Sequence, residues 1–483
     1  MSVNLGRVAN YLKRNGIKKT AQLAYERSHA NYDSNYVFEQ PNQKVLQYQC
    51  AHSVLDEGPR KFDKKPIVSI VVPAYETNVE YMRELLESVG AQTYPYWQLV
   101  IADASDSDIV EGVVKHFMAE GNTVISKLLE AVFATGKTST DIKRIREAFD
   151  ITSKIKYIRL QKNKGISSNT NQAMEYVTGD YLALLDHDDL LSPDALYEMV
   201  NKLNRVEPGQ ELLMIYSDED KCDESGKLFY EPNLKPDFDL DYLLSNNYIC
   251  HFLMMKAELM KSLGFRPQYD GAQDFDLILR AVGRIGNEKI GHVKKVLYHW
   301  RCHTGSTAEN PASKMYAYEA GRRAVQDFLE NKDIKATVKH TEHVGFYRVK
   351  YETDLFQARP EIGVLGGSVV DRKNRIVAGN YCKDGNCLME GKPSYFSGPC
   401  NRASVMQQAC GVDARTMTLR PELIPLFEEY IGVFYEPDMK KRDKNYCTQL
   451  SEEEWKKRSL ALCREVAKRS YKILWDPAIQ IVC

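Results

Sequence analysis

The chain has 483 residues and a nearly balanced charge, with 65 Lys and Arg against 66 Asp and Glu. This balance argues against DNA or RNA as the main ligand, and a hydrophobic share of 43% allows a substantial buried core. No apolar run approaches the roughly 18 residues of a membrane-spanning helix, and the N-terminus has no apolar signal segment. We therefore expect a cytoplasmic protein whose 11 cysteines are reduced.

Residues 1–64 predict an N-terminal helical and irregular arm. Residues 1–28 mix apolar and basic side chains, and Gly16 divides them into two short amphipathic helices. Their basic face either contacts an anionic membrane surface or is the solvated face of helices packed on the main domain; the thin apolar stripe favours the second interpretation. Residues 31–65 are polar and interrupted by prolines, which indicates an irregular segment.

The pattern changes at Ile67. The run IVSIVVPAY is typical of a strand buried on both faces, and VEYMRELLESVGAQ after it is typical of a helix. Further strand-like runs are WQLVIAD, KYIRLQ and DYLALLD, with a helical segment between the last two. This alternation predicts an α/β fold with a doubly wound, mostly parallel, Rossmann-like sheet over residues 65–340. Residues 108–150 are too many for one crossover and indicate an inserted pair of helices.

Carboxylates follow the strands of the predicted sheet, at the edge where open parallel sheets bind ligands. Asp103 ends the second strand, and Asp186, Asp188 and Asp189 follow the fourth. Capping of the next helix by Asp188 or Asp189 would account for one of these carboxylates. Three carboxylates so close together repel one another unless a cation lies among them, which favours a metal site.

The sequence contains no glycine-rich phosphate loop, neither Gly-x-Gly-x-x-Gly after the first strand nor Gly-x-x-x-x-Gly-Lys-Ser/Thr. It therefore does not indicate a dinucleotide-binding dehydrogenase or a P-loop NTPase. A diphosphate held mainly by a divalent cation on the Asp cluster is the alternative that fits.

Two later segments carry candidate side chains. Asp274 and Asp276 stand two residues apart and cannot share a helix face, so one can enter a cleft while the other caps the helix or pairs with Arg280. A carboxylate in the cleft would suit a general base, and a plain N-cap explains the pattern equally well. Either His299 or His303 could join the metal, although an isolated His is more often structural.

Taken in chain order, these segments resemble the signature of family 2 glycosyltransferases with the GT-A fold. The matching segments are IVSIVVPAYE, Asp103, NKGISSNTNQAME, LLDHDDLLSPDAL, QDFDLILR and YHWRCHTGSTA. The runs YSDEDK and NLKPDFDLDYLLSNNYICHF also resemble the branch that builds bacterial surface polysaccharides, such as O-antigen or rhamnan-type cell-wall glycans. The resemblance covers roughly Pro66 to Asp327.

The resemblance implies an inverting enzyme, dependent on Mn²⁺ or Mg²⁺, that moves a hexosyl or rhamnosyl group. The donor would be a UDP- or dTDP-sugar, and the acceptor a hydroxyl of a growing, lipid-linked surface polysaccharide. The nucleotide-binding residues it implies are Pro73, Ala74, Tyr75, Glu76, Asp103 on the pyrimidine imide, Lys164, Gly165 and Asp186. The metal-binding residues it implies are Asp186, Asp188 and His303, with His299 as a substitute for His303. Asp274 would be the general base.

Three positions depart from the family's usual pattern. Glu76 stands where Asn is usual, Ala102 where the first of two Asp is usual, and Gln273 where many members have Glu. None of them removes a group that catalysis needs, so we expect an active enzyme.

Residues 341–483 form a smaller α+β module in this interpretation. Its segments GFYRVKYE, RIVAGNYCKDG and SYKILWDPAIQIV resemble the join to, and the later half of, a second glycosyltransferase domain.

Two alternative functions stay open. A sugar nucleotidyltransferase also uses strand-end carboxylates and a cation, but the chain lacks the basic, Gly-rich early loop expected for a triphosphate. Retention of the candidate carboxylates and of His303 argues against a non-catalytic nucleotide-sugar-binding or assembly protein.

The expected partners are the donor, a glycan or lipid-linked acceptor, the inner membrane face and a second copy of the chain, with no nucleic acid.

Overall fold

The computed structural model describes residues 12–13, 16–22, 24–26, 36–120, 123–303 and 315–483. The first predicted N-terminal helix lies largely outside these residues, and the second is helical over residues 16–22. Contacts divide the chain into a sheet unit, Tyr32–Phe238 with Ile249–Ala324, and a C-terminal unit, Met1–Asn31 with Asp239–Tyr248 and Val325–Cys483. The three-part division into residues 1–64, 65–340 and 341–483 stays a prediction.

The helices and strands are numbered in chain order. The helices are α1 Gln43–Leu55, α2 Val79–Gly90, α3 Ile109–Glu120, α4 Thr123–Phe133, α5 Ser139–Phe149, α6 Ile166–Met174, α7 Ala195–Leu203, α8 Leu240–Ser245, α9 Ala257–Leu263, α10 Gln273–Arg284, α11 Met315–Glu330, α12 Leu355–Ala358, α13 Ile424–Ile431, α14 Lys444–Cys447 and α15 Glu452–Lys468. The strands are β1 Val68–Ala74, β2 Trp97–Asp103, β3 Ile155–Arg159, β4 Tyr181–Leu184, β5 Leu190–Leu191, β6 Met214–Cys222, β7 Phe229–Asn233, β8 Leu253–Lys256, β9 Ile290–Arg301, β10 Ala336–His340, β11 Tyr347–Tyr351, β12 Ile362–Val370, β13 Ile376–Ala378, β14 Gln407–Gln408, β15 Thr418–Leu419 and β16 Lys472–Val482.

Strands β1 to β9 form one sheet in the order β3-β2-β1-β4-β8-β6-β9-β5, with β7 paired to β6. Strands β1, β2, β3, β4, β6 and β9 run in one direction, and β5, β7 and β8 run against them. The predicted α/β fold with a mostly parallel sheet is therefore confirmed.

Alternate positions of β1 cover the two faces of this sheet. Val68, Ile70 and Val72 pack in one cluster with residues of α2 and α7. Val71 and Val100 are also fully buried but lie outside that cluster, and α6 packs on β1 and β2. Both faces are buried, as a continuous β-branched run predicts.

Residues 31–65 contain helix α1, so the expectation of an irregular arm is wrong there. The helix begins after its N-cap residue, Asn42. Its buried side chains include Gln49 and His52, so the sequence shows no clear apolar stripe. Gln49 Oε1 accepts a hydrogen bond from Thr93 Oγ1 at 2.9 Å, which satisfies this buried polar group.

Residues 108–150 contain the predicted inserted pair of helices. Helix α3 packs on α2 and β3 and is the crossover between neighbouring strands. Helices α4 and α5 pack on α1 instead, around a small core of their own. The insertion and α1 therefore bury each other's apolar faces.

The C-terminal unit has its own sheets and core. Strands β12 to β16 form a sheet in the order β13-β12-β16-β14, with β15 paired to β12, and β10 and β11 form a separate hairpin. Trp455 of α15 is fully buried and donates from Nε1 to Cys447 O at 2.8 Å. A capping box between Ser451 and Glu454 begins α15. These features agree with the predicted smaller α+β module.

The cysteines differ from the expectation in one respect. Cys447 and Cys483 form a disulfide, so the expectation that all cysteines are reduced is wrong for this pair. The fold brings them together from positions 36 residues apart, which sequence spacing does not reveal. The other cysteines are not in disulfides. In the part of the chain that the structure describes, no helix is both long and apolar enough to cross a bilayer.

Candidate active site

The carboxyl ends of β1, β2 and β4 meet at one edge of the sheet. Pro73 and Ala74 end β1, and the parallel register places Ala74 beside Asp103 at the end of β2. On the other side of β1, β4 ends at Leu184, shortly before Asp186. The strand-end residues therefore lie where open α/β sheets bind their ligands.

Asp103 is fully buried at this edge, and protein groups already contact its carboxylate. Tyr157 OH donates to Oδ2 at 2.7 Å, and Ser105 N donates to Oδ1 at 2.9 Å. The Arg159 guanidinium lies 3.6 Å from Oδ2. Ser105 Oγ also donates to Oδ1, so the remaining lone pair lies on Oδ2, and the contact with a pyrimidine imide stays a prediction.

Glu76 joins the end of β1 to the loop after β2. Its backbone is left-handed, with φ 46°, and its Oε1 accepts hydrogen bonds from Asp106 N at 2.7 Å and Ser107 N at 3.1 Å. Ser107 Oγ donates to Oε2 at 2.8 Å, and this hydrogen bond is the main cause that lowers the pKa of Glu76. The carboxylate thus shapes the loop, while the neighbouring Tyr75 is 45% exposed at the same edge.

The loop before α6 faces a carboxylate that no sequence motif marks, Asp270. Gly165 has φ 87°, and Ser167 N donates to Asp270 Oδ1 at 3.3 Å. A Cβ at Gly165 would lie 2.5 Å from Asp270 Oδ2 and would displace that carboxylate, and the positive φ itself favours glycine. Asp270 lies at the N-terminus of α6, an end that favours negative charge, and the nucleotide contacts of Lys164 and Gly165 stay predictions.

Two carboxylates of the Asp cluster each face a histidine. Asp188 Oδ2 lies 3.0 Å from His303 Nε2, so the structure brings this predicted pair together. Asp186 Oδ2 lies 4.0 Å from His251 Nε2. Sequence spacing does not mark His251, whose only signal is its place in the run NNYICHF that shares the family resemblance.

Asp189 anchors the backbone of this cluster. It is fully buried and accepts hydrogen bonds from Tyr298 OH and, at 2.7 Å, from Arg301 N. The buried Arg301 side chain donates from Nε to Asp188 O at 2.6 Å and pairs with Glu84 at 2.8 Å. The end of β9 therefore holds the Asp cluster in position.

The electrostatics of the cluster suit a cation. Burial raises the pKa of Asp186; His251 opposes this shift, and Asp188 and Asp274 add to it. Burial, Asp188 and Asp186 also raise the pKa of Asp189. Among the described residues, Asp186, Asp189 and His251 are the group that can place ligand atoms within 4.8 Å of one another. A divalent cation would relieve the repulsion, and carboxylate oxygens are ligands that Mn²⁺ and Mg²⁺ prefer.

Asp274 lies close enough to the Asp cluster to act on Asp186 through its charge. It stands in the first turn of α10, accepts a hydrogen bond from Cys250 Sγ at 3.3 Å, and raises the pKa of Asp186 through its charge. Asp276 pairs with Arg280 at 2.7 Å, which confirms the prediction that one of the two carboxylates would do so. Asp274 is the one of the two whose charge reaches Asp186, and its role as general base stays a prediction.

His299 has a structural environment instead. Its Nδ1 lies 2.5 Å from Asp220 Oδ1, and its ring packs against Phe38 and Phe229 with centroids 4.4 Å away. The side chain is buried among these residues. It is therefore unavailable as the predicted substitute for His303, and the geometry favours His303.

Comparison with known proteins finds several relatives. Residues 133–264 match the Glycosyl transferase family 2 model. The chain is 32% identical over 345 residues to the uncharacterized protein y4gI of Sinorhizobium fredii, covering 69% of this chain and 34% of that protein. It is 29% identical over 312 residues to the O-antigen biosynthesis protein RfbC of Myxococcus xanthus, covering 64% and 21% respectively. The chain thus spans about a third of the first relative and about a fifth of the second.

Among solved structures, S. aureus TarS 1–349 in complex with UDP-GlcNAc shares 16% identity with this chain. The alignment covers 55% of this chain and 66% of that one, with a TM-score of 0.39. A TM-score this low does not support a fold assignment, which rests instead on the strand order and directions.

Proposed function

We propose that this chain, which carries a family 2 glycosyltransferase domain, transfers a sugar from a nucleoside-diphosphate donor to a hydroxyl group. The family match includes the Asp cluster after β4 and supports a glycosyltransferase over a nucleotidyltransferase. One observation carries the proposal: the charges of Asp188 and Asp274 both act on Asp186, which follows β4 at the carboxyl edge of the sheet. A cation-binding cluster and a general base are the two parts that such a transfer needs.

The donor would bind at the edge formed by β1, β2 and β4. Tyr75 and Asp103 would contact the base and ribose, and Asp186 and Asp188, with His303, would hold Mn²⁺ or Mg²⁺. The bound cation would stabilise the negative charge that develops on the leaving diphosphate. The structure supports this arrangement through the 3.0 Å approach of His303 to Asp188.

Asp274 would accept the proton of the acceptor hydroxyl. As that oxygen forms its bond to C1 of the sugar, the bond from C1 to the diphosphate oxygen breaks, and the configuration at C1 inverts. The hydrogen bond from Cys250 orients the Asp274 carboxylate for this role. A positioned general base contributes a factor of about 10²–10⁴ in rate.

The finer assignments follow the same proposal. The donor would be a UDP- or dTDP-sugar carrying a hexosyl or rhamnosyl group, and the acceptor a lipid-linked bacterial surface polysaccharide at the inner membrane face. The support is the similarity to RfbC, a protein named for O-antigen biosynthesis. The module of residues 341–483 would then contribute to acceptor binding or to contact with a second copy.

A thermal-shift panel of UDP, dTDP, GDP and CDP, each with and without Mn²⁺, tests the donor site. The proteins compared are wild type, Asp188→Ala and, as a matched control on the sheet unit, Asp63→Ala, which replaces an exposed carboxylate. A ligand at about 100 times its Kd stabilises by about 2.7 kcal/mol. The proposal expects one pyrimidine diphosphate to stabilise wild type and Asp63→Ala only with metal, and Asp188→Ala not at all. Stabilisation by none of the four would overturn it.

A further inference from the structure

A groove in the C-terminal unit gathers basic side chains that the proposed transfer does not use. Its volume is about 390 Å³, and its lining includes Lys19, Lys339, Thr341, Arg348, Lys350 and Ser404. All the residues that we assign to the donor and the general base belong to the sheet unit. The groove therefore requires its own explanation.

The β10–β11 hairpin presents the basic side chains of this groove. The antiparallel register places Lys339 directly opposite Arg348, and Lys350 opposite Thr337. Residues two apart on a strand point to the same face, so the three cations share one face of the hairpin. This face is exposed, whereas the alternate positions, such as Val338, are buried. The hairpin thus packs one face on its unit and leaves a basic face in the groove.

Edge protection alone does not explain these charges. Lysines are common on exposed strands because they discourage pairing with other chains. Like charges directly opposite each other on neighbouring strands are destabilising, however, and edge protection does not require them. Lys339 and Arg348 have this arrangement. The opposed charges of Lys339 and Arg348 therefore have a role other than edge protection.

Part of this charge is compensated and part is not. Arg348 pairs with Asp476 at 2.6 Å, which fixes its guanidinium, and Lys19 pairs with Glu342, the carboxylate that also lines the groove. Among the described residues, no carboxylate lies within 4.0 Å of the Lys339 or Lys350 ammonium group. An anionic ligand would meet two uncompensated ammonium groups beside a positioned guanidinium.

We propose that this groove binds a diphosphate group. Neighbouring strands are about 4.8 Å apart and same-face residues about 6.7 Å apart along a strand, so the three cations span more than one phosphate and suit two linked ones. The hydroxyls of Thr341 and Ser404 lie in the same lining, where they donate to His343 O at 3.1 Å and to Asn401 O at 2.7 Å, so the charged contacts come from the three cations. None of the described lining residues is a large aliphatic or aromatic hydrophobe, which favours a charged group over insertion into a bilayer.

Isothermal titration of the full chain in EDTA tests the proposal. The probes are inorganic pyrophosphate and farnesyl diphosphate, and the proteins are wild type, Asp188→Ala and the double variant Lys339→Gln/Lys350→Gln. The double variant Lys440→Gln/Lys441→Gln removes the same charge from exposed positions of the same unit and is the control. Without metal or donor, the assay is independent of the proposed transfer reaction.

For each probe, we expect wild type, Asp188→Ala and the Lys440/Lys441 control to have the same affinity as one another. The Lys339/Lys350 variant should bind about tenfold more weakly or worse, because it loses two charge-assisted contacts. Tighter binding of farnesyl diphosphate than of pyrophosphate would identify a lipid as the source of the diphosphate; equal binding would identify a soluble diphosphate. Absence of binding to wild type, or equal affinity of the Lys339/Lys350 variant and the control, would overturn the proposal.

Discussion

The thiol of Cys250 donates a hydrogen bond to Oδ2 of Asp274 at 3.3 Å, and the charge of Asp274 acts in turn on Asp186 after β4. Burial raises the pKa of Cys250, so the sulfur keeps its proton and acts as a donor. A carboxylate that accepts one hydrogen bond retains lone pairs for the proton of an acceptor hydroxyl. This contact orients the proposed general base while leaving its charge in place.

Asp274→Asn should lower kcat by a factor of about 10²–10⁴, because an amide cannot accept the proton of the acceptor hydroxyl. Nucleotide binding in the thermal-shift panel should be unchanged. Steady-state kinetics with a nucleotide-sugar donor measure the first effect. A variant that keeps full turnover would exclude Asp274 as the base.

Asp276→Asn is the comparison on the same helix. Asp276 is fully buried and holds Arg280 and Arg266, so its substitution breaks a buried ion pair. Loss of such a pair costs about 3–5 kcal/mol. We expect a lower melting temperature, measured by differential scanning calorimetry, with turnover retained in the folded fraction.

The two histidines of the YHWRCH segment should separate in their effects. His303→Ala should weaken the Mn²⁺ dependence of nucleotide binding, because His303 Nε2 lies 3.0 Å from Asp188. His299→Ala should instead lower the melting temperature, because it removes one of the two partners of the buried Asp220, which keeps its hydrogen bond from Tyr36 OH. A thermal-shift titration with Mn²⁺ resolves both effects, and the reverse outcome would move the assignment to His299.

His251→Ala should reduce Mn²⁺ affinity by about tenfold or more, as removal of a group beside metal ligands commonly does. His251 lies 4.0 Å from Asp186 and stacks on Tyr298 with centroids 4.6 Å apart. His116→Ala, which replaces an exposed histidine on α3, is the control and should change nothing. Titration of Mn²⁺ by electron paramagnetic resonance measures free metal directly. Equal affinity in the two variants would remove His251 from the metal site.

Trp455→Ala should destabilise the C-terminal unit by about 3–5 kcal/mol, because it empties the centre of that core and removes a hydrogen bond to Cys447 O. Phe434→Ala is the matched control, since Phe434 is 85% exposed and its loss should cost about 0.5 kcal/mol or less. Urea unfolding monitored by circular dichroism gives both values. Similar costs for the two variants would show that Trp455 is not a core residue.

Lys154 gives the stability a defined pH dependence. Burial lowers the pKa of Lys154 from 10.5 to about 8 in the folded protein. Between these values the unfolded chain binds more protons than the folded one, so stability rises with pH. The free energy of unfolding of wild type, relative to Lys154→Met, should therefore increase between about pH 7.5 and about pH 9.5. A constant difference between the two proteins would show an ordinary pKa.

Local patterns predict most of the sheet unit. The observed strands β1 and β2 differ from the predicted runs by at most a residue at each end, and α2 lies within the predicted helical run VEYMRELLESVGAQ. A run of β-branched residues or an apolar stripe reports burial at each position, and that information is local. The same logic locates Asp103 and the Asp cluster at strand ends, because the end of an apolar run is visible in the sequence.

Helix α1 shows where local patterns fail. Its buried face contains polar side chains, and Gln49 is satisfied by Thr93, a residue from a different part of the chain. No apolar periodicity therefore marks the helix. Its packing partners, α4 and α5, come from an insertion whose own packing the sequence does not specify.

The sequence by itself determined the α/β class, the strand ends that carry carboxylates and the resemblance to family 2 glycosyltransferases. Only the tertiary structure decided which side chains meet: His303 and not His299 with Asp188, His251 with Asp186, and Cys250 with Asp274. The reason is physical. Burial is a property of one position and its near neighbours, whereas a contact depends on strand register and on how distant segments cross, which a local pattern does not encode.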